Sequence, residues 1–165
     1  MMRARVALTW VIVLSGVWFV KAQAPAPADT LKGWASKSDL DALVAKLRSG
    51  ELKGPQTLFE RPNGPYRIYT SFIDGRKGAA DIHEADDEVL VVLSGSAQST
   101  LGGEIPDRNL AAPHEYRGTQ IRGGTTRTVG VGDIISMPRG TPHQMDATGG
   151  HILYVVIKIM GASGL

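Results

Sequence analysis

The sequence of 165 residues contains no cysteine, which excludes disulfide bonds and thiolate metal sites. Any metal ion would therefore have to be held by histidine, aspartate, glutamate or water. Aromatic residues make up only 6% of the chain, whereas glycine occurs 20 times and proline 9 times. This balance is typical of a protein with short strands and many turns. The length suits a single domain with a core of its own.

A long apolar run occurs only near the N-terminus. A short basic start, Arg3 and Arg5, precedes an apolar stretch over residues 6–20. This stretch is shorter than the roughly 20 residues that a membrane-spanning helix needs, and it is typical of the core of a signal peptide. The sequence therefore predicts a signal peptide over residues 1–22 and an exported protein, either periplasmic or secreted.

Cleavage of this segment changes the charge of the chain. Cleavage is predicted after Ala22 or Ala24, although Lys21 is atypical of a cleavage region and leaves a retained anchor as the alternative. Loss of Arg3, Arg5 and Lys21 removes three positive charges and changes the formal net charge from +2 to −1. The sequence also has no basic patch interleaved with aromatic residues. We therefore expect no nucleic-acid partner and no stable membrane insertion after cleavage.

A linker and a helix are predicted next. Residues 23–35 are rich in proline and alanine and predict an extended linker. A helix is predicted over residues 36–50, because Ser36 followed by Asp39 is an acidic variant of the capping box and Gly50 is a stop signal. The stripe of apolar residues favours packing on the domain's own sheet, with a partner-binding helix as the alternative. Its members recur at helical spacing: Leu40, Leu43, Val44 and Leu47.

The remainder of the chain, over residues 64–160, has the pattern of short β-strands separated by turns. Two adjacent strands are predicted to meet at a tight turn formed by Ser94 and Gly95. The segment 104–122 is rich in turn residues and predicts no regular element. Short strands at regular spacing favour a barrel or a sandwich. The predicted strands are 66–73, 79–84, 88–95, 96–103, 125–129, 133–137, 143–147 and 151–159.

The segment 81–88 carries six acidic or imidazole side chains directly before an apolar strand. Asp81 and His83 are two residues apart, so on a strand their side chains point to the same face. Glu88 opens the next strand, and His143 follows a Pro/Gly turn at the start of another. Two imidazoles with one or two carboxylates form a set that hard or borderline divalent metals accept. A solvated acidic loop is the alternative.

The spacing of these residues resembles the two sequence motifs of the cupins. The first motif is G-x5-H-x-H-x3/4-E-x6-G, and its spacing matches Gly75, Asp81, His83, Glu88 and Gly95. The second motif is G-x5-P-x-G-x2-H-x3-N, and its spacing matches Gly132, Pro138, Gly140, His143 and Ala147. The chain departs from the family at Asp81, which replaces a histidine, and at Ala147, which replaces an asparagine. Residues 115–133 also resemble a segment of small exported bacterial cupins of the cupin-2 type.

The resemblance implies an all-β fold, a single-domain cupin jelly-roll β-barrel with a short N-terminal helix, and a homodimer. It also implies one divalent metal ion near a mouth of the barrel, of which Mn, Fe or Zn would suit a site with oxygen and nitrogen ligands. The implied ligands are Asp81, His83, Glu88 and His143. A carboxylate can ligate a metal as an imidazole does, but the side chain of Asp81 is shorter. If it falls short, a site with two histidines and one carboxylate is left, and Asp81 supports His83 instead.

The function implied by the resemblance is that of an exported, metal-dependent enzyme that acts on a small molecule in the barrel mouth. The ion would act as a Lewis acid or as an oxygen-activating centre. An oxidoreductase of the dioxygenase type and an isomerase, lyase or hydrolase are both left open, because cupins serve many functions. The alternatives are a non-catalytic periplasmic module that binds a small ligand or a metal, and a site that has lost its metal.

Other polar residues carry weaker expectations. On strand 151–159, Lys158 is taken to face outwards, which would place His151 among the inward residues near a barrel rim. His114 is expected at the surface, whereas Tyr69 and Met145 are expected in the core or in a pocket wall. A solvated turn is expected at Glu84, Asp86 and Asp87. Surface positions, with attraction of an anionic substrate as the alternative, are expected for Arg122, Arg127 and Arg139.

Overall fold

The computed structural model of the protein describes residues 33–60 and 64–161. The predicted signal peptide, residues 1–22, lies outside the described residues, as does the predicted linker except for residues 33–35. Within the described ranges, no helix is long and apolar enough to cross a membrane.

Helix α1 comprises Lys37–Ser49, within the range that the sequence predicts. The Ser36 hydroxyl accepts a hydrogen bond from the backbone N–H of Asp39, and the Asp39 carboxylate accepts one from the backbone N–H of Ser36, at 3.1 and 2.9 Å. Gly50 ends the helix in the left-handed conformation with φ of +78°, which glycine adopts without steric cost. Of the apolar stripe, Leu47 is buried and the other three residues are half-buried.

Ten strands follow and form a curled antiparallel sheet, a half-barrel. The strand order is β1-β2-β10-β4-β9-β3-β6-β5, and β7 and β8 both pair with β4. This topology confirms the all-β jelly-roll prediction. The strands are β1 (Gln56–Glu60), β2 (Tyr66–Asp74), β3 (Lys77–His83), β4 (Asp86–Leu101), β5 (Asn109–Ala112), β6 (Glu115–Gly118), β7 (Thr125–Gly130), β8 (Ile134–Met137), β9 (His143–Asp146) and β10 (His151–Met160).

The predicted tight turn at Ser94 and Gly95 is wrong, because β4 continues through both residues as one strand of 16 residues. Its first part pairs with β10 and β8, and its last part pairs with β7 and β9. At the crossing, the register with β10 shifts, and Gly95 has φ of +74°. A Cβ atom there would lie 1.9 Å from the backbone oxygen of His151. The glycine therefore marks an irregularity within a strand and not a chain reversal.

Two apolar clusters lie on opposite faces of β3. The larger one fills the inside of the half-barrel, and its fully buried members include Ile152 and Val92. The smaller one consists of Ala80, Ile82 and Ile105. Because strand residues alternate between faces, burial of Ala80 and Ile82 in the smaller cluster turns Asp81 and His83 toward the inside of the half-barrel.

Three strands were not predicted from the sequence. Strand β1 pairs with β2 at one edge of the sheet, and β5 and β6 lie in the turn-rich segment 104–122. All four residues of β5 are exposed, so that strand has no alternation of buried and exposed positions from which it could have been recognised.

Candidate metal centre

Three of the predicted ligands are brought together by three strands. His83 ends β3, Glu88 lies near the start of β4, and His143 begins β9. The pairing of β3 with β9 places Asp81 opposite His143, so His83 lies two residues further along the same face. The register between strands distant in sequence therefore builds the site.

The carboxylate of Glu88 lies between the two imidazoles. His83 Nε2 is 3.4 Å from Glu88 Oε1, and His143 Nε2 is 3.6 Å from Glu88 Oε2. The two imidazole rings are 5.2 Å apart between centroids, and one ligand atom from each residue falls within 4.8 Å of the others. Glu88 is only 4% exposed, and a buried carboxylate requires a compensating cation. The three residues therefore fit a divalent metal ion, to which they could offer two nitrogens and an oxygen.

The backbone orients the ring of His143. Its Nδ1 atom lies 3.1 Å from the carbonyl oxygen of Thr141. A carbonyl oxygen only accepts hydrogen bonds, so Nδ1 donates a proton to it, and Nε2 is the ring nitrogen that faces Glu88 and could ligate a metal. This arrangement, in which the second nitrogen of a ligating histidine donates to the backbone, is the usual one around protein metals.

His83 has two competing neighbours on its Nδ1 side. Burial lowers its pKa below the ordinary value, so the ring is neutral at pH 7 and can ligate a metal. Lys158 Nζ is 3.2 Å from Nδ1, and Glu115 Oε1 is 3.3 Å from the same atom. If Nδ1 donates its proton to Glu115, Nε2 has a free lone pair facing Glu88. If Nδ1 accepts from Lys158, Nε2 carries the proton. Metal binding through Nε2 requires the first tautomer.

The prediction that Lys158 faces outwards is wrong. Lys158 is 9% exposed, and the other even-numbered residues of its strand from Ile152 to Val156 are buried with it. The ammonium group lies 2.5 Å from Glu115 Oε1, 3.3 Å from Asp86 Oδ2 and 3.9 Å from Glu88 Oε1. These carboxylates compensate the buried charge. A lysine within an apolar strand is the available sequence signal for such a buried and compensated charge.

Glu115 was not identified from the sequence. It pairs directly with His83 in the register of β3 and β6, so both side chains project from the same face. Although burial opposes ionisation, the hydrogen bond and the charge of Lys158 hold the pKa of Glu115 below its ordinary value. The surrounding segment has no periodic pattern, and no sequence signal pointed to this residue.

Asp81 lies on the predicted face but outside the group of three. Its Oδ1 atom accepts a hydrogen bond from Arg117 Nε at 2.6 Å, and its side chain is 23% exposed. This contact raises the pKa of Arg117. The ion pair gives the Asp81 carboxylate a partner other than a metal. Its role as a metal ligand stays a prediction.

The prediction of a solvated turn at Glu84, Asp86 and Asp87 is correct only for Glu84, which is exposed in a short bend. Asp86 and Asp87 instead begin β4 and are half-buried. Asp87 accepts hydrogen bonds from the Arg139 backbone and from Nε and Nη2 of its side chain. The hydrogen bonds from Arg139 lower the pKa of Asp87 to about 2. Asp87 therefore connects β4 to the Pro/Gly turn before His143, whereas Asp86 pairs with Lys158 of β10.

A cavity of about 400 Å³ opens beside the candidate metal centre. Tyr69 and Met145 line it, in agreement with their expected place in a pocket wall. The Tyr69 hydroxyl donates a hydrogen bond to Glu88 Oε1 at 3.3 Å, and burial, reinforced by Glu88, raises the pKa of Tyr69. The phenol therefore stays protonated and connects the cavity to the carboxylate of the centre.

The other histidines lie apart from this group. His151 Nε2 is 3.2 Å from the hydroxyl of Ser94, and its ring packs near Phe72 with the centroids 6.0 Å apart. His114 is exposed in a turn, as expected. None of the arginines singled out in the sequence lines the cavity, whose arginines are instead Arg67, Arg76 and Arg117.

Comparison with known proteins gave similarities of limited extent. No family model matches the chain. A glutamate–tRNA ligase of Nitrosomonas eutropha is 27% identical over 138 residues, which cover 70% of this chain and 30% of that protein. A cupin 2 conserved barrel domain protein from Rhodopseudomonas palustris is similar in structure, with a TM-score of 0.47, 20% identity and coverage of 64% of this chain and 59% of that chain. An oxalate oxidase is similar with a TM-score of 0.42, 17% identity and coverage of 58% and 42%.

The chain thus spans less than two thirds of each of these proteins, and at these identities the structural similarities concern the fold alone. The antiparallel strand order and the two motifs are properties of this chain itself. The motifs bring His83, Glu88 and His143 together inside the half-barrel. The part of the chain that the structure describes has a cupin-type β-barrel fold.

Proposed function

We propose that the protein is an exported, metal-dependent enzyme that acts on a small molecule in the cavity beside His83, Glu88 and His143. The observation that carries this proposal is the convergence of two imidazoles and one buried carboxylate, with both imidazoles at the wall of that cavity. A site with two histidines and one carboxylate leaves coordination positions free for substrate or water.

The chemistry of these ligands suits Mn, Fe or Zn. When bound, such an ion supplies Lewis-acid or oxygen-activating chemistry. The surrounding residues orient these ligands and hold protons close to them. Thr141 holds the Nε2 lone pair of His143 toward the site, and Glu115 can accept the proton of His83 Nδ1. Lys158 and the Tyr69 hydroxyl each hold a proton at the cavity wall, which suits isomerase or lyase chemistry as well as dioxygenase chemistry.

The metal site is tested by elemental analysis of protein purified without an affinity tag. We expect one metal ion per chain in the wild type, and loss of that ion in His83→Ala and in His143→Ala. His114→Ala is the matched control, because the side chain of His114 is exposed and is not one of the three grouped residues, and this variant should keep its metal. Circular dichroism confirms that each variant is folded. A wild type that binds no added Mn²⁺, Fe²⁺ or Zn²⁺ refutes the proposal.

Catalysis needs a second experiment. Oxygen uptake with a panel of phenols and diketones tests dioxygenase chemistry, and NMR of the same panel under nitrogen tests isomerase or lyase chemistry. Turnover that disappears in Glu88→Gln supports the proposed enzyme. A protein that binds metal and ligand without turnover is instead the non-catalytic binding module considered above.

Export and dimer formation are further parts of this proposal. The basic start and the apolar stretch over residues 6–20 support export, and the cupin resemblance supports a homodimer. N-terminal sequencing of protein from separated cell fractions tests export, with a new terminus after Ala22 or Ala24 expected outside the cytoplasm. Light scattering of the purified protein tests the dimer. An uncleaved chain in the cytoplasm contradicts export, and a monomer in solution contradicts the homodimer.

A further inference from the structure

We propose that the cavity beside the metal centre binds a small molecule carrying an oxyanion, a carboxylate or phosphate group, and that Arg67 and Arg117 hold this group. The proposal rests on the proposed function, since it names the class of ligand for the same site. Three properties of the cavity support it: its balance of charge, the position of its cations, and the hydrogen-bond donors that have no protein partner.

The lining of the cavity carries more positive than negative groups. Its two acidic residues, Asp81 and Glu115, face four cations: Arg67, Arg76, Arg117 and Lys158. Both carboxylates already have a close partner, since Asp81 binds Arg117 at 2.6 Å and Glu115 binds Lys158 at 2.5 Å. Arg67 has only a long contact of 3.9 Å to Glu60, and no ion pair of Arg76 occurs within the described residues. A bound divalent metal would add to this positive charge.

Arg67 has one acidic and one basic cross-strand neighbour, Glu60 on β1 and Lys158 on β10. In the register of β2 and β10, Arg67 lies directly opposite Lys158. Side chains in such a pair project from the same face, and like charges in this position destabilise a sheet. An anion bound in the cavity would relieve the repulsion. Glu60, which lies opposite Arg67 on β1, offsets only part of this repulsion, because its Oε1 atom is 3.9 Å from Arg67 Nε.

Both arginines have donors left over for a ligand. Arg117 uses its Nε for Asp81, and no acceptor for its terminal nitrogens occurs among the residues described. Arg67 donates from Nη2 to the Thr57 hydroxyl, and its buried Nε has no hydrogen-bond partner, its nearest ion-pair oxygen being Glu60 Oε1 at 3.9 Å. A guanidinium group binds carboxylate and phosphate oxygens in a bidentate manner, so these donors match an oxyanion in geometry as well as in charge.

Both arginines line the same cavity as His83 and His143. The guanidinium carbon of Arg67 lies 5.3 Å from the ring centroid of Tyr69, and the Tyr69 hydroxyl binds Glu88. Arg117 pairs with Asp81 in the register of β3 and β6, and Asp81 pairs with His143 in the register of β3 and β9. An oxyanion held between them therefore lies beside the candidate metal centre. The volume of about 400 Å³ suits a small molecule.

Isothermal titration calorimetry of the zinc-loaded protein with succinate, inorganic phosphate and the neutral analogue succinamide tests the proposal. We expect succinate or phosphate to bind at least about tenfold more tightly than succinamide, and the stronger of the two identifies the oxyanion. Arg67→Gln and Arg117→Gln should each weaken that binding by about tenfold to a hundredfold, the range of a lost charged hydrogen bond. Arg117→Lys keeps the charge but loses the bidentate geometry, so its affinity should lie between that of Arg117→Gln and that of the wild type.

The matched control is Arg48→Gln, an exposed arginine of α1 outside the cavity, which should bind as the wild type does. Equal binding of charged and neutral probes, or unchanged affinity in both cavity variants, overturns the inference. Metal content is measured on the same samples, so a failure of the metal site is seen separately. If no metal binds, the same titrations on metal-free protein test the oxyanion site, because Arg67 and Arg117 can bind an anion without the metal ion.

Discussion

Replacing Lys158 with methionine tests the electrostatic arrangement around the candidate metal centre. The ammonium group contacts Glu115 and Asp86 within 3.3 Å and lies 3.9 Å from Glu88. Methionine retains most of the apolar stem and its packing, so the change mainly removes the charge. The substitution leaves three carboxylates without their shared cation.

The expected loss follows from the burial of the group. Removing one partner of a buried ion pair costs about 3–5 kcal/mol. The side chain of Lys158 is 11% exposed, but those of Glu115 and Asp86 are 31% and 18% exposed, and water compensates part of the loss. We therefore expect the free energy of unfolding to fall by about 2–3 kcal/mol, which lowers the melting temperature of a domain of this size by roughly 8–12 °C.

Urea unfolding of metal-free protein at pH 7 measures this loss. Glu115→Gln should cost less in the Lys158→Met background than in the wild type, with a coupling energy of about 1 kcal/mol. Lys53→Met, at an exposed lysine, is the control and should change stability by less than about 0.5 kcal/mol. A Lys158→Met variant as stable as the control, with additive effects in the double variant, refutes the electrostatic account.

The same substitution should act in the opposite direction on metal affinity. Lys158 places a positive charge close to Glu88, and like charges repel a divalent cation from that position. Lys158→Met should therefore bind Zn²⁺ more tightly than the wild type in competition with a chelating dye, although its metal-free form is less stable. Weaker metal binding would show that Lys158 supports the ligands more than it repels the ion.

Three further predictions concern the surrounding structure. Gly95→Ala should lower the free energy of unfolding by at least about 2 kcal/mol in urea, because its positive φ is strained for alanine and its Cβ would meet the backbone of His151. Asp87 has a folded pKa of about 2 against 3.8, so the stability it contributes is complete above about pH 4 and is lost as the pH falls toward 2. Asp87→Asn removes the carboxylate that titrates beside Arg139. Its free energy of unfolding should therefore vary less with pH between about 4 and 2 than that of the wild type. An unchanged pH dependence contradicts this prediction. Asp81→Asn tests the predicted fourth ligand: weaker metal binding supports Asp81 as a ligand, whereas an unchanged metal content and affinity leave a site of two histidines and one carboxylate.

Much of the candidate site was predictable because motif spacing is a property of the linear sequence. His83, Glu88 and His143 were all identified, and the structure brings them within 4.8 Å. The helix was equally predictable, because a capping box involves residues three positions apart. These features depend on short-range geometry, or on positions that a family motif defines in advance.

The face of each strand was harder to predict. Lys158 was taken to face outwards, yet the register of β10 with β4 sets it opposite Glu88, and it is buried. Glu115 was missed altogether, since its contact with His83 depends on the pairing of β3 with β6. A shift of one residue in either register would turn these side chains to the other face.

The sequence by itself determined the all-β class and the helix through patterns that operate over a few residues, and its resemblance to the cupin motifs supplied four candidate ligands, of which the structure groups three. Only the tertiary structure decided which charged groups surround those ligands. Pairing between distant strands placed Glu115 and Lys158 beside His83, and it brought Asp81 into an ion pair with Arg117. The physical reason is that strand register and the irregularity at Gly95 set the direction of each side chain, and both depend on packing of the whole barrel.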